Sequence, residues 1–384
     1  MVSAITRRHQ ELRRWRESRQ KENRLDRFIE EIGEVFADTT TNLQDFRVKL
    51  LFEALVDNGA EWIREYCDPS HGGGFRMTEA AGNVHTGLFA NIQGQYLYNA
   101  ILRSYQMPEL IGDMLVTKMS SIESGEKIPG VSELGDEVEV VGEGNPYPTA
   151  AVTENWVQTP ETIKRGLIVN ITKEALFFDK TNLILQRAAN IGRTIAVNRE
   201  KRILDVVLGI STVYSRNGAA PEATYASDNT TTSNALVDWR SIDTADTKYS
   251  AITDPDTGEP IVTTANMLVV PPALKNTAMR ILNATMTGQT TSSAETRVSG
   301  PSLNQVWNYA TNQYVKQRTS SDSTWFYGNP KEAFVYMENW PLTVEQEGAN
   351  SEKAFDADIV ARFKASERGA AGVLERRYML KATA

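Results

Sequence analysis

One stretch limits the architecture more than any other: from about Lys180 to Leu208 the apolar residues keep helical spacing without interruption. Ile184, Ala188, Ile191 and Ile195 form one stripe, Ile203, Val206 and Val207 resume it, and Gly209 is placed to close the helix. At ~1.5 Å per residue such a helix spans roughly 40 Å. A rod of that length buries its stripe only against a flat sheet or other helices running beside it.

Candidate strands flank it on both sides. Ile163, Leu167, Val169 and Ile171 alternate with Lys164, Gly166, Ile168, Asn170 and Thr172. Val138, Val140 and Val141 precede a turn-rich run from Gly142 to Pro148, so these two strands suggest a long hairpin with a polar tip that displays Trp156. Further on, Met267 to Val270 reads as a strand, followed by a helix starting near Pro272 with Leu274, Ala278, Ile281 and Leu282 inside. Near the C-terminus Ile359, Ala361, Phe363 and Ala365 alternate with Asp358, Val360, Arg362 and Lys364, and Tyr378, Leu380 and Ala382 mark a final strand. Ser/Thr/Asn-rich stretches at Ser227 to Asn234, Thr285 to Arg297 and Thr319 to Thr324 read as exposed loops.

The N-terminal region is expected to be helical. Leu25, Phe28, Ile29, Ile32 and Phe36 form one stripe, and Thr41 with Gln44 forms a capping box ahead of Leu43, Phe46, Leu50, Leu51, Ala54 and Leu55. Both stripes are too small to make a core of their own. Residues 1–27 hold nine Arg or Lys against four acids, a local charge of +5; with −8 over the whole chain, the remainder carries −13. A sequence-specific DNA reader places its basic residues on the binding fold itself, and here that fold is acidic. The pattern suits a shell with differently charged faces, and it also fits an ordinary salt-bridged solvated helix. From His71 to Gly94 the chain is rich in Gly, Ala and Asn, as an extended connector would be, and Tyr96 to Ser104 resembles one short helix.

Candidate chemistry is sparse. His71-Gly72-Gly73-Gly74 matches the oxyanion motif of some esterases, but the chain has no Gly-x-Ser-x-Gly elbow, and its other histidines are His9 and His85. His71, His85 and Cys67 match no standard metal spacing. Gly142-x-Gly144 runs into Pro146 and cannot open a dinucleotide-binding helix. The single cysteine excludes a disulfide framework, no apolar run approaches the ~20 residues of a membrane helix, and no signal peptide is visible, so folding in a cytoplasm is expected. Sequons at Asn170, Asn229 and Asn283 carry little meaning in that setting. No cofactor, metal or catalytic residue is expected.

The order of these elements resembles the HK97-type major capsid protein family of tailed bacteriophages. Three stretches carry the resemblance: Ile171 to Asp179 leading into the long helix and Leu208-Gly209, Asn266 to Lys275, and Phe355 to Arg368. It covers roughly residues 95–384 and implies an α+β, HK97-like capsid fold. Residues 1–70 would form a helical N-terminal arm, 71–135 a connector and the start of the peripheral domain, and 136–179 an extended hairpin loop. Residues 180–210 would be the spine helix of the peripheral domain, 211–330 the axial domain, and 331–384 the strands returning from axial to peripheral. Some members lose an N-terminal scaffolding segment to a protease; here a retained arm is the expectation.

The resemblance further implies a major head protein that assembles with itself, as hexamers and pentamers, into an icosahedral shell around double-stranded DNA. It would be assembled in the host cytoplasm and located in the virion. A protein nanocompartment of encapsulin type is the alternative, and a soluble esterase using His71 a remoter one. Implied partners are portal and scaffolding proteins, a decoration protein and packaged DNA bound without sequence preference, but no membrane. Tyr147, Trp156, Lys164 and Arg165 are the candidate inter-subunit contacts, the aromatics because they offer much area for little side-chain entropy. The same aromatics folded back on their own subunit are the competing arrangement. Arg7, Arg8, Arg13 and Arg14 are the candidate lumen-facing, DNA-contacting residues.

Overall fold

The computed structural model describes residues 105, 110–130, 140–144, 147, 155–172, 183–254, 258–283, 286–291, 294–299, 308–347 and 359–384. The expected N-terminal arm, the His71 to Gly94 connector and the Tyr96 to Ser104 helix lie outside them. In chain order the elements are α1 (Gly112–Leu115), β1 (Thr117–Ser120), β2 (Lys127–Pro129), β3 (Trp156–Gln158), β4 (Ile163–Thr172), α2 (Leu183–Val207), β5 (Thr230–Thr231), α3 (Trp239–Ser250), β6 (Met267–Val270), α4 (Lys275–Leu282), β7 (Met286–Thr291), β8 (Ala294–Ser299), β9 (Asn308–Thr311), α5 (Gln313–Thr319), β10 (Trp325–Gly328), α6 (Pro330–Ala333), β11 (Phe334–Glu347), β12 (Ile359–Val373) and β13 (Met379–Ala382). The chain divides into two compact units. One contains Lys164–Ala196 and Leu342–Glu367, with the chain up to Met107; the other contains Pro108–Ile163, Val197–Pro341 and Arg368–Ala384.

The second unit is built on a five-stranded sheet of order β5-β13-β10-β6-β9. Its inner strands are apolar at nearly every position because both faces are covered, and the period-2 geometry of a strand sorts neighbouring residues into two cores. Met267, Val269, Phe326 and Met379 go to one side, where they meet Ile203, Leu204, Val206 and Val207 of α2. Leu268, Val270, Trp325, Tyr327, Leu380 and Ala382 go to the other, where α3 supplies Ile242, Ala245 and Tyr249 and α4 supplies Ala278 and Ile281.

The long helix ends where its sequence requires. Gly209 has φ +69, its amide donates to Val206 O at 3.1 Å, and the Ile210 amide donates to Asp205 O at 2.8 Å. That pair of bonds is the Schellman closure, which places its C′ residue in the left-handed region that glycine enters without steric cost. The buried stripe of α2 in this unit is not purely apolar, since Arg199 and Glu200 are buried in it. Glu200 accepts from the backbone amides of Ile111 at 3.0 Å and Gly112 at 2.8 Å, while Arg199 reaches Asp113 at 2.8 Å and lies 4.4 Å from the centre of the Tyr336 ring. Burial raises the Glu200 carboxyl above its ordinary range of about 4.5, against the opposing pull of the two amides.

In the first unit β4 lies beside β12, which in turn neighbours β11. Phe363 and Ala365 of β12 are buried, as their alternation predicted. Gly166 allows close contact there: a Cβ at that position would lie 2.5 Å from Ala365 O. Thr343 donates to Ser366 O at 3.1 Å, Arg362 to Asn170 Oδ1 at 3.2 Å, and Lys364 is paired with Glu345.

Three expectations need correction. The Ile163–Thr172 strand exists and its neighbour in the sheet is β12; of the expected Val138 to Val141 strand, the described residues 140 and 141 are not in a strand, and Val140 is fully exposed. Alternation identifies a strand and its inward face without naming its neighbour, and the 15-residue β12 offers a longer matching partner. Within the Thr285 to Arg297 stretch, read as loop, β7 and β8 pair antiparallel from Met286↔Ser299 to Thr291↔Ala294, an outcome that β-branched threonines favour. The Ser227 to Asn234 stretch contains β5 and a fully buried Asn229, whose amide donates to the carbonyls of Thr224, Arg376 and Met379. A side chain that ties three backbone carbonyls belongs to the interior whatever the polarity of its surroundings.

Candidate assembly interface

In the second unit β2 and β3 bracket the stretch between Gly130 and Asn155, of which residues 140–144 and 147 are described. β2 and β3 form the base of this stretch as a short antiparallel pair, Lys127↔Gln158 to Pro129↔Trp156, and the Gly130 amide closes it onto Asn155 O at 2.9 Å. Below the pair, Thr159 and Glu126 exchange bonds through backbone and hydroxyl at 2.8 to 3.0 Å. On the other side the base is held by a tight turn. Ala219 N donates to Arg216 O at 2.9 Å across Asn217 and Gly218, whose φ values of 50 and 75 place both in the left-handed region, the geometry of a hairpin turn with an Asn-Gly centre. Asn217 then binds the strand edge: its amide donates to Trp156 O at 2.8 Å, its Oδ1 accepts from Trp156 N at 3.0 Å, and its Nδ2 donates to Asn155 Oδ1 at 2.8 Å.

Trp156 is therefore not the exposed tip that the sequence suggested. It is half-buried in β3, with Lys127 Nζ 4.1 Å from its ring centre, and a Cβ on Gly218 would stand 3.3 Å from the indole. Tyr147, between Gly130 and Asn155, is 84% exposed. Lys164 and Arg165 belong to the first unit, on β4, where Lys164 is exposed and Arg165 half-buried; Ile163, Leu167 and Ile168 of that strand are also exposed. Arg7, Arg8, Arg13 and Arg14 lie outside the described residues, as do His71, His85 and Cys67.

The base rests on buried charge that sequence reading missed. Arg377 makes a two-pronged bond to Glu375, Nε to Oε1 at 2.8 Å and Nη2 to Oε2 at 2.7 Å, and approaches Asp254 at 3.3 Å; Arg216 stands 3.9 Å from the same Asp254 oxygen. Both carboxylates are buried. Burial by itself would lower the Arg377 pKa, but the bonds and charges of Glu375 and Asp254 carry it above the usual value. Burial pushes the neighbouring Tyr214 hydroxyl up to about 12, with the Glu375 charge adding to it. Arg376, Arg377 and Glu375 are adjacent in sequence, yet nothing local marks Asp254 as their partner. The Asn217-Gly218 dipeptide, by contrast, is a hairpin signal legible without any structure.

Among the described residues, no group of three His, Cys, Asp or Glu side chains could hold a metal ion, and no helix is long and apolar enough to cross a membrane.

A family model described as phage capsid protein matches residues 156–382, more than half of the chain. No curated protein sequence matches the chain. Among solved structures it is similar to that of Gordonia phage Cozz, at 12% identity and TM-score 0.46 over 72% of this chain and 86% of that one. It is also similar to that of Mycobacterium phage Bobi, at 11% and 0.46 over 71% and 90%. A third likeness is to a virus-like particle from Pyrococcus furiosus, at 10% and 0.42 over 74% and 97%.

Proposed function

The chain belongs to the phage capsid protein family, and we propose that it is the major head protein, an HK97-type subunit that closes with copies of itself into an icosahedral shell around double-stranded DNA. The observation that carries this reading is the family match across residues 156–382, which takes in the β3 return strand, the long helix and both faces of the five-stranded sheet. In this reading the units correspond to peripheral and axial domains, and the 24 residues between Gly130 and Asn155 are the extended loop. Mounted on β2 and β3, that loop reaches a neighbouring copy in the hexamers and pentamers of the shell, with Tyr147 at the contact and Trp156 fixing its root. Lys164, Arg165 and the exposed apolar residues of β4 offer a second contact.

The subunit acts by association, not catalysis. Apolar side chains that a lone copy leaves in water gain free energy when a neighbour covers them. Assembly takes place in the host cytoplasm with portal and scaffolding proteins, a decoration protein is a further partner, and Arg7, Arg8, Arg13 and Arg14 face the packaged DNA. A phage family favours a genome over the protein cargo of a nanocompartment. Particles isolated from a lysate of phage-producing cells test the reading: this chain is expected as their most abundant protein, with nuclease-resistant double-stranded DNA inside. Particles of this chain filled with protein, or virions that lack it, would refute the proposal.

A further inference from the structure

The two helices on the α3/α4 face of the five-stranded sheet sit at its opposite ends. α3 packs on β13 and its Lys248 donates to Thr230 O on the edge strand β5, whereas α4 packs against β9 at the far edge. Both turn their apolar residues into one core, so their remaining faces are outward. Those faces differ in charge: α4 exposes bases alone, whereas α3 sets the acids Asp243 and Asp246 beside Arg240 and the half-buried Lys248. On α4 the exposed residues include Lys275, Asn276, Met279 and Arg280, with no acid. On α3 they include Asp243, Asp246, Thr244 and Thr247; the one exposed base, Arg240, lies 5.8 Å from the ring centre of its own Trp239. Among the described residues Lys275, Arg280 and Asp243 have no ion-pair partner, and the exposed Asp246 accepts from Tyr327 through Oδ1 at 2.7 Å. Each edge also exposes an apolar residue, Met279 on α4 and Val237 just before α3.

The α4 edge does not complement itself, because like charges would meet across a two-fold axis. It complements the α3 edge of an identical chain. We propose, on the reading that this chain is a shell subunit, that the α4 edge of one copy docks on the α3 edge of the next. Lys275 and Arg280 then face Asp243 and Asp246, with Met279 and Val237 alongside. Such a contact joins two different patches, so it is heterologous and repeats head to tail until the rotation closes a ring. Complementary charge of this kind selects orientation and speeds encounter more than it adds affinity, and salt screens it over about 8–10 Å.

The test uses the full chain with four proteins: wild type, K275E/R280E, D243K/T247K, and the quadruple variant that carries both changes. All substituted positions are exposed, and circular dichroism with thermal melts checks that each variant folds. Rings and shells are scored by sedimentation and negative-stain microscopy. Wild type is expected to assemble, each double variant to stay folded but lose rings and shells, and the quadruple variant to recover them because the contact is restored with its signs exchanged. If a folded double variant assembles like wild type, or the quadruple variant fails to recover, the edge-to-edge contact is wrong while the shell reading stands. A wild-type chain that never assembles overturns the shell reading and this contact with it. Should K275E/R280E fail to fold, K275Q/R280Q takes its place, with the same loss expected and wild-type assembly again counting against the contact.

Discussion

The Tyr225 hydroxyl donates a 2.6 Å hydrogen bond to the carbonyl of Val207, in the last turn of α2. The last carbonyls of a helix have no partner within it, and Val207 is fully buried, so this bond satisfies a group that water cannot reach. Tyr225 is itself held in place by Gly209: a Cβ there would stand 2.4 Å from the ring. One tyrosine and one glycine therefore fix where the long helix ends and how the chain turns into the five-stranded sheet.

Tyr225→Phe leaves the packing and removes the donor. It should lower stability by about 1–3 kcal/mol, the cost of an unsatisfied buried acceptor. Gly209→Ala should also destabilise, because alanine pays roughly 1–2 kcal/mol in the left-handed region before the clash with Tyr225 is counted. Chemical denaturation of both variants checks the pair; a Tyr225→Phe variant as stable as wild type would mean that the carbonyl finds another donor.

The apolar stripe of α2 gives a second prediction and shows what periodicity can and cannot see. The sequence placed Ile191 and Ile203 on the same stripe. In the structure Ile203 is 1% exposed whereas Ile191 is half-buried. Ile203→Ala should cost about 2–5 kcal/mol and Ile203→Asp should abolish soluble folding. Ile191→Asp should be clearly milder, and equal losses at the two positions would contradict this difference in burial.

Spacing located the helix, its glycine stop, β6 and the buried residues of β12, because those features are written locally as period and cap. It could not reveal that Arg199 and Glu200 enter the buried stripe. Their partners are the backbone of Ile111 and Gly112 and the side chain of Asp113, nearly ninety residues earlier. The same limit applies to β4, whose partner strand lies almost two hundred residues away, and to the Asp254–Arg377 contact under the β2–β3 base. At the candidate interface, Tyr147 was legible as an exposed aromatic. Trp156 was misread because its packing depends on Lys127 and on the Asn217-Gly218 turn, both distant in sequence.

Glu200 makes the pH response specific. Its folded pKa is raised above the value of about 4.5 that it has when unfolded, so the unfolded chain gives up this proton more readily. Its contribution favours the fold fully below pH 4.5 and is lost as pH rises through the raised folded value. Glu200→Gln removes that titration, so the dependence of stability on pH just above 4.5 should be shallower in the variant than in wild type. Urea midpoints measured in parallel across pH 4.5–7 decide it; superimposable profiles would show that Glu200 does not titrate differently in the fold.

The most direct test of the account is a negative-stain image, supported by sedimentation velocity, of the purified full chain at micromolar concentration and near-physiological salt. The subunit described above should appear as rings of five and six or as closed shells of uniform diameter. A folded chain that stays monomeric at every concentration and salt, even when its family's scaffolding protein is co-expressed, would contradict the claim that this protein works by assembling with itself.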